Sequence, residues 1–551
     1  MEKSWYKVWP VWVPKNFEVE KPATEYFREW ATYTPDKIAL TFYGKDITYR
    51  ELNSLIDKLA WGLVDLGVRK GDRVAIHMQN CPQFVIGYFA AQRAGGVVVP
   101  VNPMFKQAEL EHELNDAGVK TIIGLDFLYP ELEKVRANSP LKNVIITSLK
   151  DYLPEKPLLA LPQEAKQEKR SFPGTIDFNE LISKFQDRPI CQVSDLKTDL
   201  ALLQYTGGTT GMPKGAMITH HTLSIVSLGM TYWFHHREDD VHLGVTPYFH
   251  TMGQQNAMWA PLISGGRVII LSRYIPEVVA QAVTSYRCTC WVAATTMVIA
   301  LLELPNIKSY DFTSFRCLWS GGAPISLELQ RKLKELAPNA IIGEGYGLSE
   351  TISHGGCCTA LHRYKPGFLG IPQLNVVRIV DLETGTREMP ANQEGEVTIK
   401  GPAVMIGYWN KPEETAQALR DGWLYTGDIG LMDEEGYLKL LGRKKEMIKC
   451  SGYAVFPAEV EDLLYRHPSV KEVSVIGIND PYRGETPKAF IALKPEYEGK
   501  VTEEEILSWC KENMAAYKRP RFVEFRKDLP KSAAGKILKR VLVEEESAKN
   551  A

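Results

Sequence analysis

The chain has 551 residues, and at roughly 100–200 residues per domain that length implies several compact units with room for a large core. Lys plus Arg number 65 against 67 Asp plus Glu, so a formal charge of -2 supplies no field for nucleic acid, which is not expected as a partner. With 44% hydrophobic and 24% charged residues, the composition excludes a disordered, fibrous or coiled-coil chain. At the amino terminus no basic stretch leads into an apolar run, so no secretory signal is read. Trp5, Tyr6, Trp9 and Trp12 are expected to pack on the body, because Pro10 and Pro14 interrupt any interfacial helix. No segment reaches the roughly 18 apolar residues of a membrane span, and the best candidate is broken by Gln92 and Arg93. Nine thinly spread cysteines without paired CxxC clusters read as reduced, buried thiols in a cytoplasmic protein.

Further along, apolar β-rich runs, Gly-containing turns and helix-period segments alternate, the pattern of a doubly wound α/β sheet. Arg316 to Trp319 reads as a strand, Gly321-Gly322 as its turn, Leu329, Leu333 and Leu336 as one helix face, and Ala340 to Gly343 as the start of the next strand. Such a unit puts loops 320–324 and 344–350 side by side at the carboxyl ends of parallel strands, where these sheets bind ligands. From Val376 to Leu441 short alternating strands predict a small barrel-like β unit without helical crossovers. After Gly442 the cationic stretch Arg443-Lys444-Lys445 reads as a short hinge, followed by strands at Val473 to Ile478 and Ala489 to Leu493. The expected fold is therefore α/β: a large domain over 1–442, of doubly wound subdomains plus the β unit, then a smaller mobile α+β domain over 443–551.

The most informative segment is Tyr205-Thr-Gly-Gly-Thr-Thr-Gly-Met-Pro-Lys-Gly215. Gly207, Gly208 and Gly211 allow close backbone approach, Thr206, Thr209 and Thr210 offer hydroxyls, and Lys214 adds a point charge, a set suited to polyphosphate oxygens. No Gly-Lys pair is followed by Ser or Thr and no GxGxxG occurs, so neither a Walker loop nor a dinucleotide fingerprint is present. Six of the eleven histidines fall between His220 and His250, but without a compact ligand pattern carrying a carboxylate partner, so no metal cluster is expected there.

The Tyr205 to Gly215 segment resembles the YTSGTTGxPKG signature of the adenylate-forming superfamily, and the family's other signatures follow in order. Glu344-Gly-Tyr-Gly-Leu-Ser-Glu350 resembles YGxTE, Tyr425-Thr-Gly-Asp428 resembles YxTGD, and Gly442-Arg443 with Ile448-Lys449 and Gly452 resembles the hinge motif. Pro530-Lys531-Ser-Ala-Ala-Gly-Lys536 resembles PKxxxGK. Asp36 to Leu40 and Thr48 to Leu52 also read like the family, so the resemblance spans nearly the whole chain. It departs at Gly207, where the family commonly has serine, and at Ser349, where serine replaces threonine and keeps the hydroxyl.

The resemblance implies ATP and Mg2+, with ATP or AMP held by Thr206, Gly207, Gly208, Thr209, Thr210, Gly211, Lys214, Gly322, Ala323, Pro324, Glu344, Gly345, Tyr346, Gly347, Ser349, Asp428 and Arg443. Within that set Asp428 and Arg443 take the ribose, Tyr346 stacks on adenine with Gly322 and Ala323 on its other face, and Ser349 meets the α-phosphate. Glu350 takes magnesium, since a hard cation needs few protein oxygens beside phosphate. Lys536 is the catalytic cation, steadying the charge that develops when a carboxylate attacks the α-phosphorus. Lys445 is the hinge pivot, and Lys449, Ser451 and Gly452 form the coenzyme A face.

His250 resembles the family's histidine at the mouth of the acyl pocket, with Met252, Met258 and Trp259 as pocket lining. Between Val241 and Pro276 there is no Asp or Glu to pair an amino-acid ammonium, which argues against the peptide-synthetase branch. The run Trp9-Pro-Val-Trp-Val-Pro14 resembles the start of long-chain fatty acyl ligases. The expectation is ligation of a medium- or long-chain fatty acid to coenzyme A through acyl-AMP, with AMP and pyrophosphate released. An aryl or phenylpropanoid acid ligase, a luciferase-like enzyme and a non-catalytic nucleotide-binding homologue are the alternatives. Expected partners are a small-molecule carboxylate, ATP and coenzyme A, with a homodimer left open.

Overall fold

The computed structural model describes residues 3–206, 212–322, 325–354, 356–360, 363–450, 453–532 and 537–549. Two large, mostly parallel sheets dominate it. A nine-stranded sheet has five successive parallel ladders through strands Cys290–Ala294, Cys317–Gly321 and Ile341–Gly345, with antiparallel strands only at its edges. A seven-stranded sheet is parallel except for its last pair, Leu200–Thr206 against Lys214–Thr219. Both carry helical crossovers, as the alternating sequence pattern requires.

The apolar stretch interrupted by Gln92 and Arg93 is a 12-residue helix, Pro82–Arg93, with every residue buried. It is short for a membrane span and apolar round its circumference, so it fills a core. Its polar residues are paired: Gln83 donates to the Ser148 carbonyl at 2.7 Å, and Arg93 Nη1 lies 2.8 Å from Asp57 Oδ1. Among the described residues no helix is long and apolar enough to cross a membrane. The amino-terminal aromatics pack on the body as expected. Trp5 and Trp9 are buried, Trp9 meets Trp233 edge-on at 5.3 Å, and Trp12 stacks near His235.

The expected strand after Arg316 runs Cys317–Gly321, so Gly321 is its last residue and not part of a turn. Gly321 pairs in register with Gly345 on the neighbouring parallel strand, which sets the two glycine-bearing loops side by side. The β unit is a five-stranded antiparallel sheet built on Trp423–Met432, and no ladder between its strands Val376–Val380 and Leu438–Arg443 closes it. It also contains a short exposed helix, Pro412–Ala418, which the strand pattern did not anticipate.

Sheet membership changes between Arg443 and Ile448. Arg443 ends the β unit's last strand, a one-turn 3-10 segment Lys444–Glu446 follows, and Ile448–Cys450 belongs to the carboxyl-terminal sheet. That sheet includes Val470–Asp480, Gly484–Leu493 and Phe522–Phe525 and has its own core around Val460, Val475, Ile491 and Ile506. Phe456 also joins Ile429 and Leu441 of the β unit in a small shared apolar cluster at the junction. The cysteines are free thiols, buried except Cys191, which is exposed against expectation.

Candidate active site

The strands on either side of the glycine- and threonine-rich segment pair antiparallel, with Thr206 in register with Lys214. Gly207, Gly208, Thr209, Thr210 and Gly211 lie outside the described residues. The hairpin's base is tied down by Tyr205, whose hydroxyl donates to Asp116 at 2.6 Å while its ring lies over Gly215, where a Cβ would come within 3.2 Å.

Segment 405–409 adds to the hairpin as an extra strand: Met217 N–H donates to Gly407, Ile406 N–H to Met217, and Trp409 N–H to Gly215. That addition carries Tyr408 into the site. Its hydroxyl donates to Glu350 Oε1 at 2.7 Å, and Lys214 Nζ lies 5.1 Å from its ring centroid. Met405 N–H also holds the Glu350 carbonyl at 2.8 Å. Glu350 is thus fixed at both ends of the residue, on a 3-10 turn that begins with Ser349. Nothing in the sequence singled out Tyr408, because its partners lie 58 and 194 positions away and meet it only through strand addition.

A second cluster gathers three separate motifs. Antiparallel register places Asp428 directly opposite Arg443, and Arg443 Nε lies 2.9 Å from Asp428 Oδ1. Tyr346 donates its hydroxyl to Asp428 Oδ2 at 2.6 Å. Burial alone would lower the Arg443 pKa, and the Asp428 carboxylate beside it reverses the shift upward. Burial, with Asp428 adding to it, drives the Tyr346 phenol well up, so it stays a donor. A carboxylate oxygen can accept more than one hydrogen bond, so a carboxylate oriented in this way is suited to vicinal hydroxyls.

Gly347 follows Tyr346 against the backbone of Ser353, where a Cβ would sit 1.9 Å from the carbonyl oxygen, so no other residue fits. Gly322 has φ +80 with open space beside it, so glycine serves the backbone conformation there. Ala323 and Pro324 lie outside the described residues.

Glu344 precedes this pair on the strand ending at Gly345, and Gln330 donates to its Oε1 at 2.9 Å. Burial pushes its carboxyl up to about 7, with Asp462 of the carboxyl-terminal segment adding to the shift.

His250 precedes a short helix, Thr251–Gln254; its Nε2 is sealed without a hydrogen-bond partner, and burial lowers its pKa to about 4, leaving a neutral imidazole. The floor beneath is a chain of amides: Tyr88 donates to Gln254 at 3.0 Å, Gln254 to Gln204 at 2.8 Å, and Gln204 to the Phe249 carbonyl at 3.2 Å. Met252 approaches the strand end, where a Cβ on Gly321 would lie 3.1 Å from its sulfur. Met258 and Trp259 are fully buried, and Trp259 stacks on Phe89 at 3.9 Å. Residues Gln255–Trp259 form a π turn, a local widening frequent at functional sites and unmarked in the sequence.

In the carboxyl-terminal part, Lys445 lies on the exposed 3-10 segment and Lys449 on an exposed strand position, its N–H donating to Glu485 at 2.7 Å. Ser451, Gly452 and Lys536 lie outside the described residues. The histidine-rich region departs from expectation: His236, Asp240, His242 and Cys290 offer ligand atoms within 4.8 Å of one another, a carboxylate included.

The AMP-binding enzyme profile matches residues 27–409, and the AMP-binding enzyme C-terminal domain profile matches residues 459–536. A long-chain-fatty-acid–CoA ligase of Bacillus subtilis is 39% identical over 557 aligned positions, covering 99% of this chain and 98% of its own. Among solved structures, the anthranilate CoA ligase AuaEII in complex with anthranoyl-AMP superposes with a TM-score of 0.86 at 27% identity, over 96% of this chain and 98% of that one. ATP-bound MatB from Rhodopseudomonas palustris gives a TM-score of 0.83 at 28% identity, over 95% and 99%.

Proposed function

Because the chain belongs to the AMP-binding enzyme family, we propose that it is an ATP-dependent acid–thiol ligase joining a medium- or long-chain fatty acid to coenzyme A through acyl-AMP. The observation that carries this reading is the convergence of Tyr346, Asp428 and Arg443, three separate segments of sequence, on one buried carboxylate. The fatty-acid assignment draws on the full-length similarity to the Bacillus subtilis ligase and on the lack of any acidic residue from Val241 to Pro276.

Asp428 accepts the ribose hydroxyls while Arg443 and Tyr346 hold its carboxylate in place. The Tyr346 ring offers adenine a stacking face, and Glu344, whose carboxyl burial pushes up to about 7, can donate to the base in its protonated form. Lys214 and the glycine- and threonine-rich segment hold phosphate oxygens, with the Ser349 hydroxyl at the α-phosphate.

The donor set fits magnesium: Glu350 is a half-buried carboxylate held in one orientation by Tyr408, the single hard oxygen such an ion requires beside polyphosphate. Bound there, magnesium would neutralise charge on the phosphate oxygens. The neutral His250 imidazole positions the substrate carboxylate without pairing with it. Lys536 bridges carboxylate and phosphorus as charge accumulates in the transition state.

The pivot in this reading is Lys444–Glu446, since the β unit's last strand ends at Arg443 and the carboxyl-terminal sheet begins at Ile448. Rotation there exchanges Lys536 for the face bearing Lys449, Ser451 and Gly452, where pantetheine reaches the acyl-AMP.

ATP–pyrophosphate exchange across straight-chain, branched and aryl acids, followed by thioester formation with coenzyme A, tests the whole reading. Exchange that rises with apolar chain length supports it. Exchange only with aryl acids overturns the substrate class, and tight binding of an acyl-sulfamoyl adenosine without any exchange overturns catalysis.

A further inference from the structure

We propose that His236, His242, Cys290 and Asp240 form a structural site for a zinc-class divalent ion, at the end of the nine-stranded sheet opposite the ATP site. Parallel register makes His242 the direct neighbour of Cys290 across two strands, and the loop entering the strand Val241–Gly244 brings His236 and Asp240 over them. The four ligand atoms all lie within 4.8 Å of one another, and His236 Nδ1 faces Asp240 Oδ2 at 4.0 Å. Bonds of about 2.0–2.3 Å around zinc need only about 1 Å of closure from that arrangement.

Two further observations point to an occupant. His236 Nδ1 and His242 Nε2 are buried nitrogens without a hydrogen-bond partner, although each side chain is at least nine-tenths buried. Both residues, with Cys290, Cys317, Asn256 and Trp319, line a cavity of about 10 Å³, the size of one ion or one water.

The chemistry of the donors selects the ion. One sulfur, two imidazole nitrogens and one carboxylate suit zinc, whereas magnesium and calcium take oxygen ligands. Binding exchanges the Cys290 thiol proton, released to water, for a metal–sulfur bond. The thiolate then offsets one of the ion's two charges, and Asp240, which already pairs with Arg316, shares its own charge between the two cations. The Asp240 carboxylate is oriented by Arg316 Nε and by Thr289 Oγ1, each at 2.7 Å from Oδ1, and by Arg237 N–H at 2.8 Å from Oδ2. Arg316 also pairs with Oδ2, and with its side chain 24% exposed its charge is shared with water. Such outer donors are what hold a metal-binding carboxylate in place.

Position decides the role. Cys290 and Cys317 are the first residues of their strands, whereas Gly321, which ends the second, marks the loop at the nucleotide end. Four residue steps separate the two ends, about 13 Å. The ion therefore pins the loop 234–240 to the sheet and takes no part in catalysis.

The full-length protein, stripped with chelator under reducing, oxygen-free conditions, is titrated with Co2+. One cobalt per chain, with a thiolate-to-cobalt charge-transfer band and intense tetrahedral d–d bands that zinc displaces, is expected. Zinc should raise Tm and leave turnover unchanged. Cys290→Ser and His242→Gln should each abolish the bands. Should either fail to fold, His236→Gln at the outer edge of the cluster provides the same reading. Absence of the bands, their persistence in His236→Gln and His242→Gln, or a lone water in the cavity after zinc soaking would each overturn the site.

Discussion

The hydroxyl of Tyr408 offers a direct measure of whether Glu350 is positioned or merely present. Tyr408→Phe removes one hydrogen bond of 2.7 Å to a carboxylate and keeps the ring beside Lys214. Hydrogen bonds to charged groups contribute about 1.5–3 kcal/mol, and because Tyr408 and Glu350 are both half-buried the lower end applies. At 1.36 kcal/mol per decade, about 1.5 kcal/mol corresponds to roughly a tenfold fall in kcat/KM for ATP in pyrophosphate exchange. Tyr408→Ala also removes the cation–π contact, about 0.5–1 kcal/mol, for a further few-fold loss. The coupling is tested by combining Tyr408→Phe with Glu350→Gln. If the hydroxyl acts through the carboxylate, the double variant is scarcely worse than Glu350→Gln alone. A Tyr408→Phe enzyme within about twofold of the parent, or a pair whose losses simply multiply, would refute the reasoning.

Three other outcomes are expected. Lys536→Ala should cost about 3–4 kcal/mol of transition-state stabilisation, roughly 100- to 1000-fold in adenylation, yet still convert supplied acyl-AMP to acyl-CoA; equal loss in both half-reactions contradicts that division. Lys445→Pro should depress thioester formation more than pyrophosphate exchange, because it stiffens the segment between two sheets, and a parallel fall in both assays argues against a pivot there. Glu344 has a folded-state pKa raised, mainly by burial, to about 7 from its ordinary value of 4.5. Its protonated form therefore contributes stability that is fully present below about pH 4.5 and lost as pH rises through about 7. Glu344→Gln should flatten that part of the pH–Tm curve, and an unchanged slope in the variant would show that the carboxyl is already ionised in the fold.

The site was legible in the sequence where chemistry is carried by short ordered strings of residues. Tyr346, Glu350, Asp428 and Arg443 were all named from such strings, and the paired loops after Gly321 and Gly345 followed from the β–α–β pattern. The Asp428–Arg443 pair is nearly local, since one hairpin register brings it about. The π turn at Gln255–Trp259 left no trace in residue type, because a one-residue widening of a helix does not alter its apolar composition.

The sequence by itself determined the family and the strand-and-loop order that sets Gly321 beside Gly345, and it named candidate groups for a nucleotide site, because each depends on residue types at fixed short spacings. Only the tertiary structure decided that Tyr408 reaches Glu350 and that His236, Asp240, His242 and Cys290 stand together. Both follow from strand addition and cross-strand register, which join residues far apart in the chain, and hydrogen-bonded backbone carries no residue code by which a single sequence could announce its partner.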